Sequence, residues 1–206
     1  MKFDSIGFDL DGTLWNPLEA ITQAWAETAE KFNLRKPDEN DIAGVLGLNQ
    51  VDLMNKLYPD LDAKAQIVFF EEAVILCDKI LAEKGGILFD GLRETLTELK
   101  KHFKLYIVSN CQDGYIETFL KVHNLEEFFC DSEHPDKRCL PKGMNLKILL
   151  ERNGFKNSIF VGDTIGDAKA AEFADIPFVY ASYGFGNVEN PDYKITAFPE
   201  IIDIVM

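Results

Sequence analysis

With 206 residues, 47% of them hydrophobic, the chain can bury the core of one sizeable domain, or of one domain carrying a smaller insert. A formal net charge of −14 leaves no basic stripe to neutralise phosphates, which argues against a nucleic-acid or anionic-membrane surface. The cysteines, Cys77, Cys111, Cys130 and Cys139, lie far apart with no Cys-x-x-Cys pair, so neither a zinc site nor a disulfide framework is expected. Asp4 falls where a leader's apolar segment would begin, and no stretch has the length of a membrane span, so the expectation is a cytoplasmic protein.

Lys2 to Phe8 is short and apolar enough for a buried central strand, and it runs into Asp9-Leu-Asp-Gly-Thr13. Side chains alternate along a strand, so Asp9 and Asp11 point the same way. Two such carboxylates repel unless a divalent cation, a shared proton or a division into one acid and one anion offsets them. Gly12 and Thr13 predict a tight turn whose N–H groups would cradle an anion beside that pair. Calcium binding of the EF-hand kind is disfavoured, because the Asp-x-Asp-Gly follows a strand and the further ligand spacing is missing.

Pro17 suits the first turn of a helix, and Leu18, Ile21, Trp25, Ala29 and Phe32 recur at helical spacing. A second helix start follows at Pro37 to Asp41, a turn at Gly44 to Gly47, and a helix from an Asn49 cap to Leu57. Asp62 to Lys84 gives one long helical pattern ending at Gly85-Gly86. About seventy residues with helical signals exceed what a crossover in an α/β sheet needs, so residues 16–85 read as a separate helical insert between 1–15 and 86–206.

From Phe89 onward strands and helices alternate. Asp90-Gly91 precedes a helix to Lys101, Phe103 to Val108 is a strand, Asp113 caps a helix to Val122, and Leu125 to Cys130 is a short extended segment. A helix over Lys142 to Arg152, a strand over Ser158 to Val161, a helix over Ile165 to Ala174 and a strand over Pro177 to Tyr180 follow. This alternation with apolar strands predicts an α/β fold, a parallel sheet covered on both faces, with chemistry at the strands' carboxyl ends. His102, His123 and His134 show neither metal spacing nor a partner acid, and His102 reads as a cation at a helix C-terminus.

Asp9-Leu-Asp-Gly-Thr13 behind an apolar strand resembles the first motif of the haloacid dehalogenase-like hydrolases, most of which are magnesium-dependent phosphatases acting through an aspartyl-phosphate. The further motifs follow in that family's order: Ser109-Asn110 after Leu105-Tyr-Ile-Val108, Lys142 in Leu140-Pro-Lys-Gly143, and Gly162-Asp163-Thr-Ile-Gly-Asp167 after Ser158-Ile-Phe-Val161. The resemblance covers nearly the whole chain and is nearest to phosphoglycolate phosphatase-like members. It implies a Rossmann-like core and a helical cap closing over the active site. One departure stands out: Leu-Pro-Lys-Gly-Met-Asn replaces the Lys-Pro-x-Pro of many such members, which keeps the lysine and leaves the substrate open. Nor does Gly44 to Gln50 hold a basic cluster that would announce a doubly anionic substrate.

On this basis Asp9 is the expected nucleophile and Asp11 the general acid and base. Lys142 would hold Asp9 and the phosphoryl group together, with Thr13, Ser109 and Asn110 as further substrate contacts. Asp9, Asp163 and, as the resemblance implies, the Asp11 main-chain carbonyl would bind Mg²⁺, with Asp167 orienting Lys142 or metal-bound water. Trp15, Asn16, Tyr183 and Phe185 flank these motifs, as pocket lining or as core. The expected partner is a small phosphorylated metabolite, and the chain a monomer or homodimer. A phosphomutase would use the same residues; a dehalogenase would not need Asp11, Asp163 and Asp167. A phospho-aspartate signalling module would place its aspartate after a middle strand and lack the helical insert.

Overall fold

The computed structural model describes residues 2–135 and 140–206; Cys139 lies outside them. Strand β1 (Ser5–Phe8) has all four residues buried. The chain then enters a two-residue strand, β2 (Trp15–Asn16), and four helices: α1 (Leu18–Lys31), α2 (Glu39–Ala43), α3 (Gln50–Leu57) and α4 (Ala63–Lys84). Strand β3 (Ile87–Leu88) returns antiparallel to β2, tying the two ends of this helical segment together. Helix α5 (Leu92–Leu99), β4 (Lys104–Val108), α6 (Tyr115–His123) and β5 (Asp131–Glu133) come next. After them run α7 (Lys142–Asn153), β6 (Ser158–Gly162), α8 (Ile165–Phe173), β7 (Phe178–Ala181), β8 (Tyr193–Ile195) and α9 (Ile201–Val205).

The main sheet has the order β5-β4-β1-β6-β7-β8, with every neighbouring pair parallel. Alternation along its strands feeds two cores. Ile6, Phe8, Leu105, Ile107, Ile159 and Val161 face one side with α5 and α9, whereas Tyr106, Val108, Phe160 and Phe178 face the other with α7 and α8. The α/β expectation is therefore met. Since β1 pairs with β4 on one side and β6 on the other, the strand order reverses at β1, the usual place for a crevice at the carboxyl edge.

The helical segment is organised around Phe69 of α4. Its ring meets Trp25 of α1 and Phe32 just after it at 5.4 and 5.3 Å between centroids, and Tyr58 at 4.8 Å. On α4, Phe69, Ala73, Cys77 and Ile80 form a buried stripe at intervals of four, four and three residues, the spacing that keeps one helix face inward. Side-chain caps set the starts of α2, α3 and α4: Asp38 accepts from Asp41 N, Asn49 from Asp52 N and Asp62 from Ala65 N.

Some local expectations are corrected. Leu125 to Cys130 is not extended: Glu126–Phe128 forms a 3₁₀ turn that buries Phe128, and the strand lies just beyond it, at Asp131–Glu133. Asp113 does not cap α6, because Gly114, with φ of 83°, occupies that position. Asp113 lies 3.4 Å from His134 Nε2 instead, and His102 Nε2 lies 3.3 Å from Glu98, so two of the histidines do have a partner acid. Strands β2, β3 and β8 went unforeseen because two or three residues carry no period.

Candidate active site

Register builds the site. Phe8 is level with Ile107 of β4 and Val161 of β6, so the residues leaving the three strands, Asp9, Ser109 and Asp163, emerge along one edge of the sheet. Lys142 is the first residue of α7, and Asp167 lies in the first turn of α8. Asp9, Lys142, Asp163 and Asp167 are all buried, a costly arrangement for four ionisable groups unless they serve one another.

Lys142 Nζ donates to Asp9 Oδ1 and, at 2.5 Å, to Asp167 Oδ1. The second oxygen of Asp167 accepts from the main-chain N–H of Thr164 at 2.9 Å and from its hydroxyl at 2.6 Å, closing the capping box of α8. Asp163 Oδ2 accepts from Phe185 N at 2.7 Å. Its Oδ1, though buried, has no partner among the described residues. A side chain on Gly12, whose φ is 80°, or on Gly184 would run into Asp163, so backbone walls hold this carboxylate in place.

One lysine cannot balance three acids. Burial raises Asp9 well above the usual carboxylate range; Asp167 adds to the rise and Lys142 opposes it. Burial likewise pushes Asp163 up to about 7, with Asp167 adding and the Phe185 N–H opposing. For Lys142, burial would favour the neutral amine, but Asp167 and Asp9 outweigh it and raise the pKa. Asp9, Asp163 and Asp167 each bring a carboxylate oxygen within 4.8 Å of the others. This set fits a hard divalent cation, and the unpartnered Asp163 Oδ1 is the atom left for it. Asp167 is already engaged at both oxygens, so Asp9 and Asp163 are the ligands this geometry leaves available.

Asp11 is held apart from this cluster: its Oδ1 accepts from Trp15 Nε1 at 2.6 Å and from Tyr115 OH at 3.1 Å. Burial raises it to about 6, with the two hydrogen bonds restraining the rise. Tyr115 escaped sequence reasoning because the contact spans 104 positions and no spacing rule reaches across it. Trp15 is fully buried, its ring edge-on to those of Tyr115 and Phe119. Asn16 is used locally, its Oδ1 accepting from Leu18 N at 2.9 Å at the start of α1.

The anion cradle expected of Gly12 and Thr13 is not formed by their N–H groups. Gly12 N donates to the Trp15 carbonyl and Thr13 N to that of Leu10, because the turn closes on itself. Among the described residues the buried Thr13 hydroxyl has no partner, and the Thr13 carbonyl accepts from Tyr183 OH at 2.9 Å. Ser109 N is held by the Glu133 carbonyl, and Asn110 Nδ2 donates to Gly47 of the helical segment at 3.1 Å. Ser109 and Asn110 line, with Asp9 and Asp11, a cavity whose other wall is α1, α2, α4 and the loop after α2. Among the described residues no helix is long and apolar enough to cross a membrane.

A family model described as haloacid dehalogenase-like hydrolase matches residues 6–181. Among curated proteins, the chain is 25% identical to pyrophosphatase PpaX of Halalkalibacterium halodurans, over all of this chain and 98% of that one. It is 27% identical to a phosphoglycolate phosphatase of Haemophilus influenzae, over 99% of each. Among solved structures, a haloacid dehalogenase-like family hydrolase from Streptococcus pneumoniae superposes with a TM-score of 0.85 over 100% of this chain and 99% of that one. At 23% identity that likeness bears on the fold.

Proposed function

We propose that this chain, which belongs to the haloacid dehalogenase-like hydrolase family, is a Mg²⁺-dependent phosphatase of a small phosphorylated metabolite, with Asp9 as nucleophile. The observation that carries the reading is the bond from Lys142 to Asp9 and Asp167 beside an Asp163 oxygen that has no partner among the described residues. A carboxylate is kept next to a fixed cation, and a second oxygen is left for another. Phosphoryl transfer asks for little else, since it rests on positioning and on charge stabilisation.

In the first step an Asp9 oxygen attacks phosphorus while the ester P–O bond breaks, and the Asp11 carboxyl gives its proton to the leaving oxygen. The Asp11 pKa of about 6 keeps a share of it protonated near neutrality, and the donors on Oδ1 leave Oδ2 to carry the proton. In the second step Asp11, now ionised, takes a proton from water as that water's oxygen attacks phosphorus. The bond from phosphorus to Asp9 breaks and inorganic phosphate leaves. Lys142 holds the phosphoryl oxygens and Asp9 together against their repulsion, and the Thr13 and Ser109 hydroxyls are donors for those oxygens. Asp9, Asp163 and the Asp11 main-chain carbonyl would hold Mg²⁺, with Asp167 positioning Lys142. When bound, the ion supplies the positive charge that lets neighbouring carboxylates and a phosphoryl dianion share one crevice.

Residues 16–85 would act as a cap over the core of 1–15 and 86–206, excluding water until substrate is seated. The Asn110–Gly47 bond and a cavity walled by both parts support this. The relatives named above point to pyrophosphate and phosphoglycolate as first compounds to try. The test is phosphate release from these and from an aryl phosphate, with Mg²⁺ and then with chelator, by the wild type and by Asp9→Asn. Metal-dependent release that Asp9→Asn abolishes is expected; near-normal turnover by the variant overturns the assignment.

A further inference from the structure

The cavity beside Asp9 and Asp11 has a chemical character that the phosphoryl chemistry does not require. Of about 90 Å³, it is walled on the helical side by Ile21, Trp25, Val45, Leu46, Phe70 and Val74. Among the described residues its lining includes no lysine, arginine or histidine. Its polar groups are turned to other work. Asn110 Nδ2 donates to the Gly47 carbonyl, Gln112 Nε2 donates to Asp78 at 3.0 Å, and Tyr115 OH donates to Asp11. Asp78 adds a half-buried carboxylate behind Gln112.

We infer that the part of the substrate beyond the phosphate is a short, uncharged apolar group, and that compounds carrying a second anion there are poor substrates. This rests on the phosphatase reading and narrows it. A carboxylate or second phosphoryl group in the cavity would give up its water against an aliphatic and aromatic wall, with Asp11 and Asp78 nearby and no cation among the described residues that line it, Lys142 being already bonded to Asp9 and Asp167. An alkyl group in the same place exchanges water for dispersion contacts and burial. The small volume favours a chain of a few carbons, or at most one ring, over a nucleoside.

The test compares n-propyl phosphate with phosphoglycolate, which are close in size and differ in the carboxylate, alongside pyrophosphate and phenyl phosphate, all with Mg²⁺. The expected result is a kcat/KM at least about ten-fold higher for propyl phosphate than for phosphoglycolate, with the difference in KM. Val74→Arg, which places a cation on the apolar wall, should lower the propyl phosphate value and raise the phosphoglycolate value, narrowing or reversing the ratio. Equal or higher efficiency on phosphoglycolate or pyrophosphate overturns the inference and leaves the phosphatase reading standing. No release from any compound, phenyl phosphate included, would count against the phosphatase reading itself.

Discussion

The two walls of the crevice are built on opposite principles. On the sheet side, Asp9, Lys142, Asp163 and Asp167 are ionisable, buried and joined by hydrogen bonds to each other or to the backbone. On the helical side, Trp25, Val45 and Phe70 offer packing without charge, on a segment that also leaves Val51, Ile67 and Ile75 exposed. A charged cluster needs a rigid frame, because a misplaced charge in a dry site is expensive, and strand ends in a fully buried sheet supply one. An apolar wall tolerates displacement, since burial has no direction. Chemistry and selection are thereby separable: damage to the sheet edge should abolish turnover, and damage to the helical wall should alter stability or preference.

The largest effect is expected at Lys142. Lys142→Ala removes a cation bonded to both Asp9 and Asp167, and kcat should fall by about 10²–10³-fold; a loss below ten-fold would mean that the lysine is a structural tether. Phe69→Ala addresses the other wall. It empties the centre of a cluster of four rings and should cost about 3–5 kcal/mol in urea unfolding. A cost under about 1 kcal/mol would show that the helical segment is organised elsewhere.

Much of the sheet edge was legible in the sequence because motif and element coincide there. Apolar strands running into Asp9, Ser109 and Asp163 gave the parallel sheet, and the motif resemblance gave the candidate residues, with Lys142 and Asp167 at helix starts. What could not be read were interactions fixed only by folding. Tyr115 on Asp11, Gly47 on Asn110 and the Phe185 N–H on Asp163 each join residues from separate elements, with no local pattern to announce them. The Gly12–Thr13 cradle failed for a related reason: the turn residues suit an anion site, yet the same N–H groups close the turn.

A smaller effect sharpens the electrostatic half of the contrast. Asp163 and Asp11 have folded-state values of about 7 and about 6 against an ordinary 3.8. The native state therefore takes up protons at a pH where the unfolded chain remains ionised. Metal-free protein should gain stability as pH falls from about 8 to about 5, and lose it as pH rises through the same window. Asp163→Asn should flatten that slope and stabilise the metal-free protein at pH 8 by on the order of 1–3 kcal/mol. Urea midpoints in chelator across this range provide the check, and an unchanged slope would contradict the account of the cluster as a stored repulsion. The smallest effect is expected from Tyr115→Phe. Losing a donor to the Asp11 carboxylate should raise its pKa, so the basic limb of the pH–rate profile moves upward while kcat falls only by about two- to ten-fold.

Under the proposed mechanism Asp9 carries the phosphoryl group covalently. Rapid quenching of the wild type with substrate and Mg²⁺, followed by mass analysis of the peptide containing Asp9, tests it directly. One acid-stable, hydroxylamine-labile phosphoryl group is expected on Asp9 during turnover and none on Asp9→Asn. A protein that releases phosphate with no phosphoryl group on Asp9, in burst or steady state, would contradict it and point to direct attack by water.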